Sequence, residues 1–166
     1  QDDYLELLNK QVAENKGVYT YVLDKSKDKE EIIKHCSLEL NLPTYFRHPR
    51  ESLDTRQSGK IEDYVFPEIE EWIRGFYHAD FVITDSFHGT VFSIIFNKPF
   101  IAIVNKERGE SRFRSLLSLF GLESRLIYSV DDIGSELFTV PIDYVAVNGK
   151  LAKLREESRN FLKKYI

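Results

Sequence analysis

The chain has 166 residues, of which 42% are hydrophobic and 30% charged, values typical of one globular domain with a sizeable core. Its net charge of −4 argues against a general basic surface for nucleic acid, and no apolar run reaches the roughly 18 residues of a membrane span. The single cysteine, Cys36, excludes an intrachain disulfide and is typical of a reducing compartment. Because the chain contains no methionine, we expect it to be part of a longer protein.

In the first half of the chain, helical and strand patterns alternate. A short helix is predicted over residues 4–12 and a strand over residues 18–23. A second strand is predicted over residues 42–46, although Pro43 weakens it. The polar stretch 49–60 is interpreted as a solvated loop, with a binding loop as the less favoured reading.

Four further segments have apolar residues at helical spacing, which predicts helices that pack one face on a core. In the first of them Cys36 is expected in the core and its neighbour His35 at the surface, because sequential residues point apart on a helix. The apolar positions are Ile32, Ile33, Cys36 and Leu40 in the first helix, Ile69, Trp72, Ile73 and Phe76 in the second, Phe113, Leu116, Leu117 and Phe120 in the third, and Leu151, Leu154, Phe161, Leu162 and Tyr165 in the last.

The central unit of the chain runs from residue 79 to residue 104. Residues 81–84 form an apolar run short enough for a buried strand, residues 87–96 are apolar almost all round and predict a buried helix, and residues 100–104 predict a second strand. Two buried strands joined by a helix are expected to be parallel neighbours.

These patterns together predict the fold class. We expect a three-layer, Rossmann-like α/β domain with about five mainly parallel strands, the last of them a short edge strand at residues 126–128. No linker interrupts residues 1–166, so they are expected to form one domain.

In such sheets, ligands bind where strands end and helices begin, and here that place contains His88. Asp85 or Ser86 is expected to cap the helix, whose free N–H groups suit a phosphate or a carboxylate. Gly89 lacks a Cβ, which would let a ligand approach the backbone. A lone histidine is usually structural, but this position makes a role in anion binding or proton transfer about equally credible.

Two other groups of residues near His88 bear on the chemistry of this turn. Ser86 and His88 are two residues apart and would not face each other, and the flanking sequence is not G-x-S-x-G, so a hydrolase pair is disfavoured. Arg108 and Arg112 follow the next strand, on the same sheet edge if the strands are parallel. A solvated surface charge is favoured for Lys106 and Arg114. A cation in the first turn of a helix opposes the helix dipole, and this local cost makes a functional reason more credible for Arg112.

The sequence has no spacing of histidine and cysteine typical of a metal site, so we expect no metal and no cofactor. It also lacks G-x-G-x-x-G and the Walker A loop, the usual dinucleotide and P-loop patterns.

The stretch A-D-F-V-I-T-D-S-F-H-G-T at residues 79–90, followed by N-K-P-F-I-A-I, resembles the polysaccharide pyruvyl transferase family. The helix that contains Pro67 and Trp72, and the S-R-F-x-x-L-L-x-x-x-G-L pattern at residues 111–122, fit as well. The resemblance covers roughly residues 66–122 clearly and the flanks only in pattern. Many family members have arginine where Ser86 stands.

The resemblance implies transfer of a pyruvyl group from phosphoenolpyruvate to sugar hydroxyls of a cell-surface or exopolysaccharide glycan. It also implies a two-lobed fold like that of GT-B glycosyltransferases, of which this chain looks like the C-terminal lobe. The fragment would then need its N-terminal lobe for activity. The implied site residues are His88 as acid or anion ligand with Asp85 orienting it, and, for substrate binding, Ser86, Phe87, Gly89, Thr90, Arg108 and Arg112.

Two alternatives remain open at this point: a GT-B-type glycosyltransferase that uses a nucleotide-sugar, and a non-catalytic ligand-binding lobe. A donor screen distinguishes the glycosyltransferase from a pyruvyl transferase. A lack of turnover in the complete protein would indicate the non-catalytic lobe. The implied partners are phosphoenolpyruvate, a sugar or lipid-linked glycan acceptor and the N-terminal lobe of the same protein. The implied location is the cytoplasm, including the inner face of the membrane.

Overall fold

The structure, a computed structural model, describes residues 4, 8, 16–47, 64–104 and 109–165. Five strands form one parallel sheet in the order β2-β1-β3-β4-β5. The strands are β1 (Val18–Tyr21), β2 (Thr44–Tyr45), β3 (Phe81–Thr84), β4 (Phe100–Ile103) and β5 (Leu126–Ile127). The α-helices are α1 (Lys27–Leu40), α2 (Ile69–His78), α3 (Phe87–Ile95), α4 (Glu110–Phe120), α5 (Glu136–Thr139) and α6 (Tyr144–Tyr165).

The parallel α/β architecture predicted from the sequence is therefore confirmed. Strands β1 and β4 both pair with β3 in parallel, and helix α3 connects β3 to β4 as expected for the central unit. Every residue of β3 and β4 is buried, because helices cover both faces of the sheet. Strand β2 is only two residues long, shorter than the predicted 42–46. The predicted helix 4–12 and the loop 49–60 lie outside the described ranges, apart from two single positions of the former.

Alternation of side chains along the strands creates two cores, one on each face of the sheet. Helices α2, α3, α4 and α6 pack on one face, and α1 and α5 pack on the other. Cys36 of α1 is completely buried, as predicted, whereas its neighbour His35 is half-buried. The sheet thus forms the middle of three layers.

The prediction for helix α2 was wrong at Ile69, which is 70% exposed. The helix begins at this residue, and helical side chains point toward the N-terminus of their helix, so Ile69 extends past the packed layer. Ile73 and Phe76 are buried, and Trp72 is half-buried against the core.

The last helix also departs from its predicted stripe. Leu151 and Leu154 pack against the core, but Phe161, Leu162 and Tyr165 are exposed. Helix α6 has 22 residues and is therefore about 33 Å long, whereas four-residue strands span only about 13 Å. The second half of the helix extends beyond the sheet. No helix in the described ranges is both apolar enough and long enough to cross a bilayer.

Candidate functional site

The candidate site lies at the carboxyl edge of the sheet, where β3 is followed by helix α3. Ser86 is the N-cap of this helix, and its hydroxyl oxygen accepts a 3.5 Å hydrogen bond from the Gly89 N–H. The next two backbone N–H groups, those of Phe87 and His88, have no acceptor in the described part of the chain. The helix therefore presents its positive end at this edge, together with two N–H donors that no described residue accepts from.

Helix α3 approaches β3 closely at its first turn. A Cβ atom on Gly89 would lie 2.2 Å from the hydroxyl oxygen of Thr84, which is why only glycine fits there. The Thr84 hydroxyl donates to the Tyr21 carbonyl at 2.7 Å and accepts from the Ser86 N–H at 3.1 Å. Gly89 thus allows close helix–strand packing, and the approach of a ligand to its backbone stays a prediction.

Two other residues predicted to bind substrate, Thr90 and Ser86, use their side-chain hydroxyl groups for hydrogen bonds within the turn. The Thr90 hydroxyl donates to the Ser86 carbonyl at 3.1 Å, and Thr90 is completely buried. Ser86 is 6% exposed and caps the helix. These hydroxyl groups hold the turn in shape, while the surface of the site is formed by their neighbours.

Asp85 is buried and does not hydrogen-bond to His88. Its carboxylate instead accepts from the backbone N–H groups of Leu23 at 2.8 Å and Asp24 at 3.1 Å, and from the Lys29 ammonium at 2.6 Å. The expected Asp85–His88 pair is thus not formed, because both carboxylate oxygens accept bonds from the loop after β1 or from Lys29 of α1. Asp85 joins this loop to the turn that carries His88.

His88 and Arg112 lie beside the same aromatic ring. The Phe87 ring centroid is 6.1 Å from the His88 ring and 5.7 Å from the guanidinium carbon of Arg112. Phe87 also packs edge-on against Phe113 of α4, which joins the starts of the two helices. Both His88 and Arg112 are exposed, so the structure brings together two groups that can contact an anion. Arg108 lies outside the described residues.

The sequence reading missed a second charged cluster at the same edge, formed by Arg47, Glu71 and Arg74. Arg74 donates from Nη1 to the Glu71 carboxylate at 2.6 Å, and Arg47 pairs with the other carboxylate oxygen. Glu71 and Arg74 are three residues apart on a helix, a spacing that reads as an ordinary surface pair. Only the position of β2 beside α2 shows that a second arginine joins them.

No three His, Cys, Asp or Glu side chains come together to hold a metal ion in the described ranges.

Comparison with known proteins adds a family match. The family model described as polysaccharide pyruvyl transferase matches residues 2–107, a range that includes His88 but not Arg112. No curated protein matches the chain. Among solved structures, Spinosyn Forosaminyltransferase SpnP is similar to 91% of the chain at 16% identity and a TM-score of 0.48. The chain spans 42% of the length of that protein.

Proposed function

Because the chain belongs to the polysaccharide pyruvyl transferase family, we propose that it is part of an enzyme that transfers a pyruvyl group from phosphoenolpyruvate to hydroxyls of a glycan. The family match supports a transferase. The identities of the donor, phosphoenolpyruvate, and of the acceptor, a glycan, are what we propose. The observation that supports it is the placement of His88 and Arg112 beside the Phe87 ring, at a helix start where the Phe87 and His88 N–H groups have no acceptor among the described residues.

Phosphoenolpyruvate has a phosphate and a carboxylate on one carbon atom, and this arrangement suits both of them. The free N–H groups of Phe87 and His88 provide donors and a partial positive charge for one anion. The Arg112 guanidinium provides a planar fork for bidentate binding of the other. The exposed His88 imidazole provides ring nitrogens that can donate or accept a proton.

The chemistry requires a proton at the terminal enol carbon and stabilisation of the positive charge that then develops at the neighbouring carbon. We propose that His88 delivers this proton. One sugar hydroxyl then bonds to the charged carbon. A second hydroxyl bonds to the same carbon and displaces the phosphate, which leaves as the bond between that carbon and the bridging phosphate oxygen breaks. The products are a cyclic ketal and inorganic phosphate, and the protons lost by the two hydroxyls restore His88 and enter solvent.

Asp85 has a positioning role in this proposal. Its bonds to Leu23, Asp24 and Lys29 hold the loop after β1 against the turn that carries His88. We propose that the chain works as the C-terminal lobe of a longer protein, whose N-terminal lobe completes the site. We also propose that transfer takes place in the cytoplasm, at the inner face of the membrane where the acceptor is lipid-linked.

The experiment is a transfer assay with the full-length protein, phosphoenolpyruvate and candidate glycan acceptors, in which phosphate release and ketal formation are measured together. His88→Ala and Arg112→Ala are each expected to lower kcat/KM by about 30- to 1000-fold, which corresponds to about 2–4 kcal/mol of transition-state stabilisation. Arg112→Lys should recover little of this loss, because it keeps the charge but not the fork.

The matched controls are His35→Ala on α1 and Arg114→Ala on α4. His35 belongs to another helix, and Arg114, on the same helix as Arg112, pairs with Glu110 and Tyr128. Both controls should retain normal transfer. Unchanged transfer by His88→Ala would remove His88 from the mechanism, and transfer from a nucleotide-sugar without use of phosphoenolpyruvate would refute the proposed donor.

A further inference from the structure

The cluster of Arg47, Glu71 and Arg74 has more positive than negative charge. Its ion pairs in the described ranges are Arg47–Glu71 and Arg74–Glu71, so one carboxylate faces two guanidinium groups. The Arg74 side chain is only 5% exposed, whereas those of Arg47 and Glu71 are 17% and 26% exposed. A guanidinium cannot lose its proton, so the excess charge persists at this buried position.

The hydrogen bonds of Arg74 are incomplete in a specific way. Its Nη1 donates to Glu71, but its buried Nε and Nη2 have no partner among the described residues. These two N–H groups form one edge of the guanidinium fork, the edge that binds carboxylate or phosphate with two parallel bonds. The buried Nε of Arg47 also lacks a partner in the described part of the chain.

Another buried arginine shows how this chain satisfies such a group for structural purposes. Arg125 is 5% exposed and donates from Nη1 to the Leu137 carbonyl at 2.7 Å and from Nη2 to the Val140 carbonyl at 2.9 Å. Arg74 has no such carbonyl partners within the described ranges, although leaving buried donors unbonded is costly. The unused edge of Arg74 is therefore better explained by a ligand than by packing.

The surroundings of the cluster place it at the carboxyl edge of the sheet. Arg47 follows β2 by two residues, and Glu71 is in the first turn of α2, which packs beside that strand through the Tyr45 hydroxyl bond to the Gly75 carbonyl. Burial raises the pKa of Tyr45 to about 12, and Arg47 opposes that rise, so the tyrosine stays neutral and does not supply the missing negative charge.

We propose that Arg74 and Arg47 form a second oxyanion-binding site, which takes a phosphate or carboxylate group of a ligand other than phosphoenolpyruvate. Because the Nε and Nη2 edge of Arg74 is buried, binding of the anion requires the partly exposed Arg47 and Glu71 side chains to rotate. Strands β2 and β3 are separated by β1 and therefore lie about 10 Å apart along the edge, where Arg47 follows β2 and the helix that carries His88 follows β3. The two anionic groups of phosphoenolpyruvate share one carbon atom and do not span that separation. The existence of this oxyanion site does not depend on the proposed function. Only the statement that its ligand differs from phosphoenolpyruvate rests on the proposed function.

The test is titration of the full-length protein with inorganic phosphate, and in parallel with acetate, at constant ionic strength set with chloride. Calorimetry gives the affinity, and the Arg Nε–H resonances in NMR spectra report which arginine responds. Phosphate is expected to shift the Arg74 Nε–H resonance. Arg74→Gln and Arg47→Gln are each expected to weaken binding at this site about tenfold or more. The acetate arm distinguishes a carboxylate from a phosphate as the preferred group.

Two further variants separate this site from the one at His88. The double variant His88→Ala, Arg112→Ala should retain the Arg74 response, and the exposed Arg114→Gln should bind like the wild type. If Arg74→Gln fails to fold, the phosphate affinity of Arg74→Lys and the shift of the wild-type Arg74 Nε–H resonance decide whether phosphate binds at Arg74. Phosphate binding that is equal in the Arg74 variants and the wild type, or an equal response to chloride, would overturn the proposal. Loss of transfer activity alone would bear on the proposed function and not on this site.

Discussion

The close approach of helix α3 to strand β3 makes Gly89→Ala the most informative single substitution for the architecture of the site. The added methyl carbon would lie 2.2 Å from Oγ1, 2.9 Å from Cβ and 3.1 Å from Cγ2 of Thr84. Thr84 is fully buried and pairs with Tyr21 and Ala102 on either side, so it has little freedom to move.

The expected cost follows from these distances. Normal contacts between non-bonded carbon atoms are about 3.5–4.0 Å, so the helix must move away from the strand by more than an ångström or the threonine must change rotamer. A rotamer change breaks the Thr84 hydroxyl bonds to Tyr21 and Ser86. Overpacking of this kind typically costs about 1–3 kcal/mol, and with the lost hydrogen bonds we expect a decrease of about 3 kcal/mol in the free energy of unfolding.

The assay is urea unfolding followed by circular dichroism, with Gly149→Ala as the matched control. Gly149 lies in the exposed part of helix α6, where an added Cβ would meet no atom within 4 Å. In such a position alanine stabilises a helix by about 0.5–1 kcal/mol relative to glycine. The same substitution is thus expected to have opposite signs at the two glycines.

A double-mutant cycle with Thr84→Ala tests the stated cause. Alanine at 84 removes Oγ1 and Cγ2 and leaves only Cβ near the new methyl group, so Gly89→Ala should cost less in that background, with a coupling energy of about 1 kcal/mol or more. Additive effects, or a Gly89→Ala protein as stable as the wild type, would refute the claim that packing on Thr84 requires glycine.

Two other predictions concern the core. Trp72→Ala should lower the free energy of unfolding by about 3 kcal/mol in the same urea assay, because the indole packs edge-on against Phe76 and Phe92 with centroid distances of 5.2 and 5.0 Å. A decrease of less than about 1 kcal/mol would contradict this packing. Burial raises the pKa of the Cys36 thiol to about 12, so the thiol stays protonated at pH 8. It should therefore react with a disulfide reagent only when urea unfolds the protein. Rapid reaction in buffer without urea would show that the thiol is accessible in the folded protein.

The sequence alone determined the elements and their order around the site. Apolar runs at residues 81–84 and 100–104 predicted buried strands, and the polar turn followed by an apolar helix between them predicted a parallel crossover. This is why His88 was correctly expected at the start of a helix after a strand, and why Gly121 was correctly expected to end α4. Such features depend on neighbours in the chain, which local patterns describe well.

The tertiary structure decided which partners each polar side chain has. Asp85 was expected beside His88, but it binds the loop after β1, more than 50 residues away in the chain. Burial of its carboxylate required donors, and the pairing of β1 with β3 supplied them from a segment that no local pattern connects to it.

The same reason explains the Arg47, Glu71 and Arg74 cluster. The spacing of Glu71 and Arg74 is visible in the sequence, but the burial of the guanidinium and the arrival of Arg47 follow from the placement of β2 at the sheet edge beside α2. Charge and hydrogen-bonding capacity belong to a residue type, whereas the energy of an unpaired donor depends on how much water and how many acceptors surround it. Those surroundings exist only once distant segments have packed together.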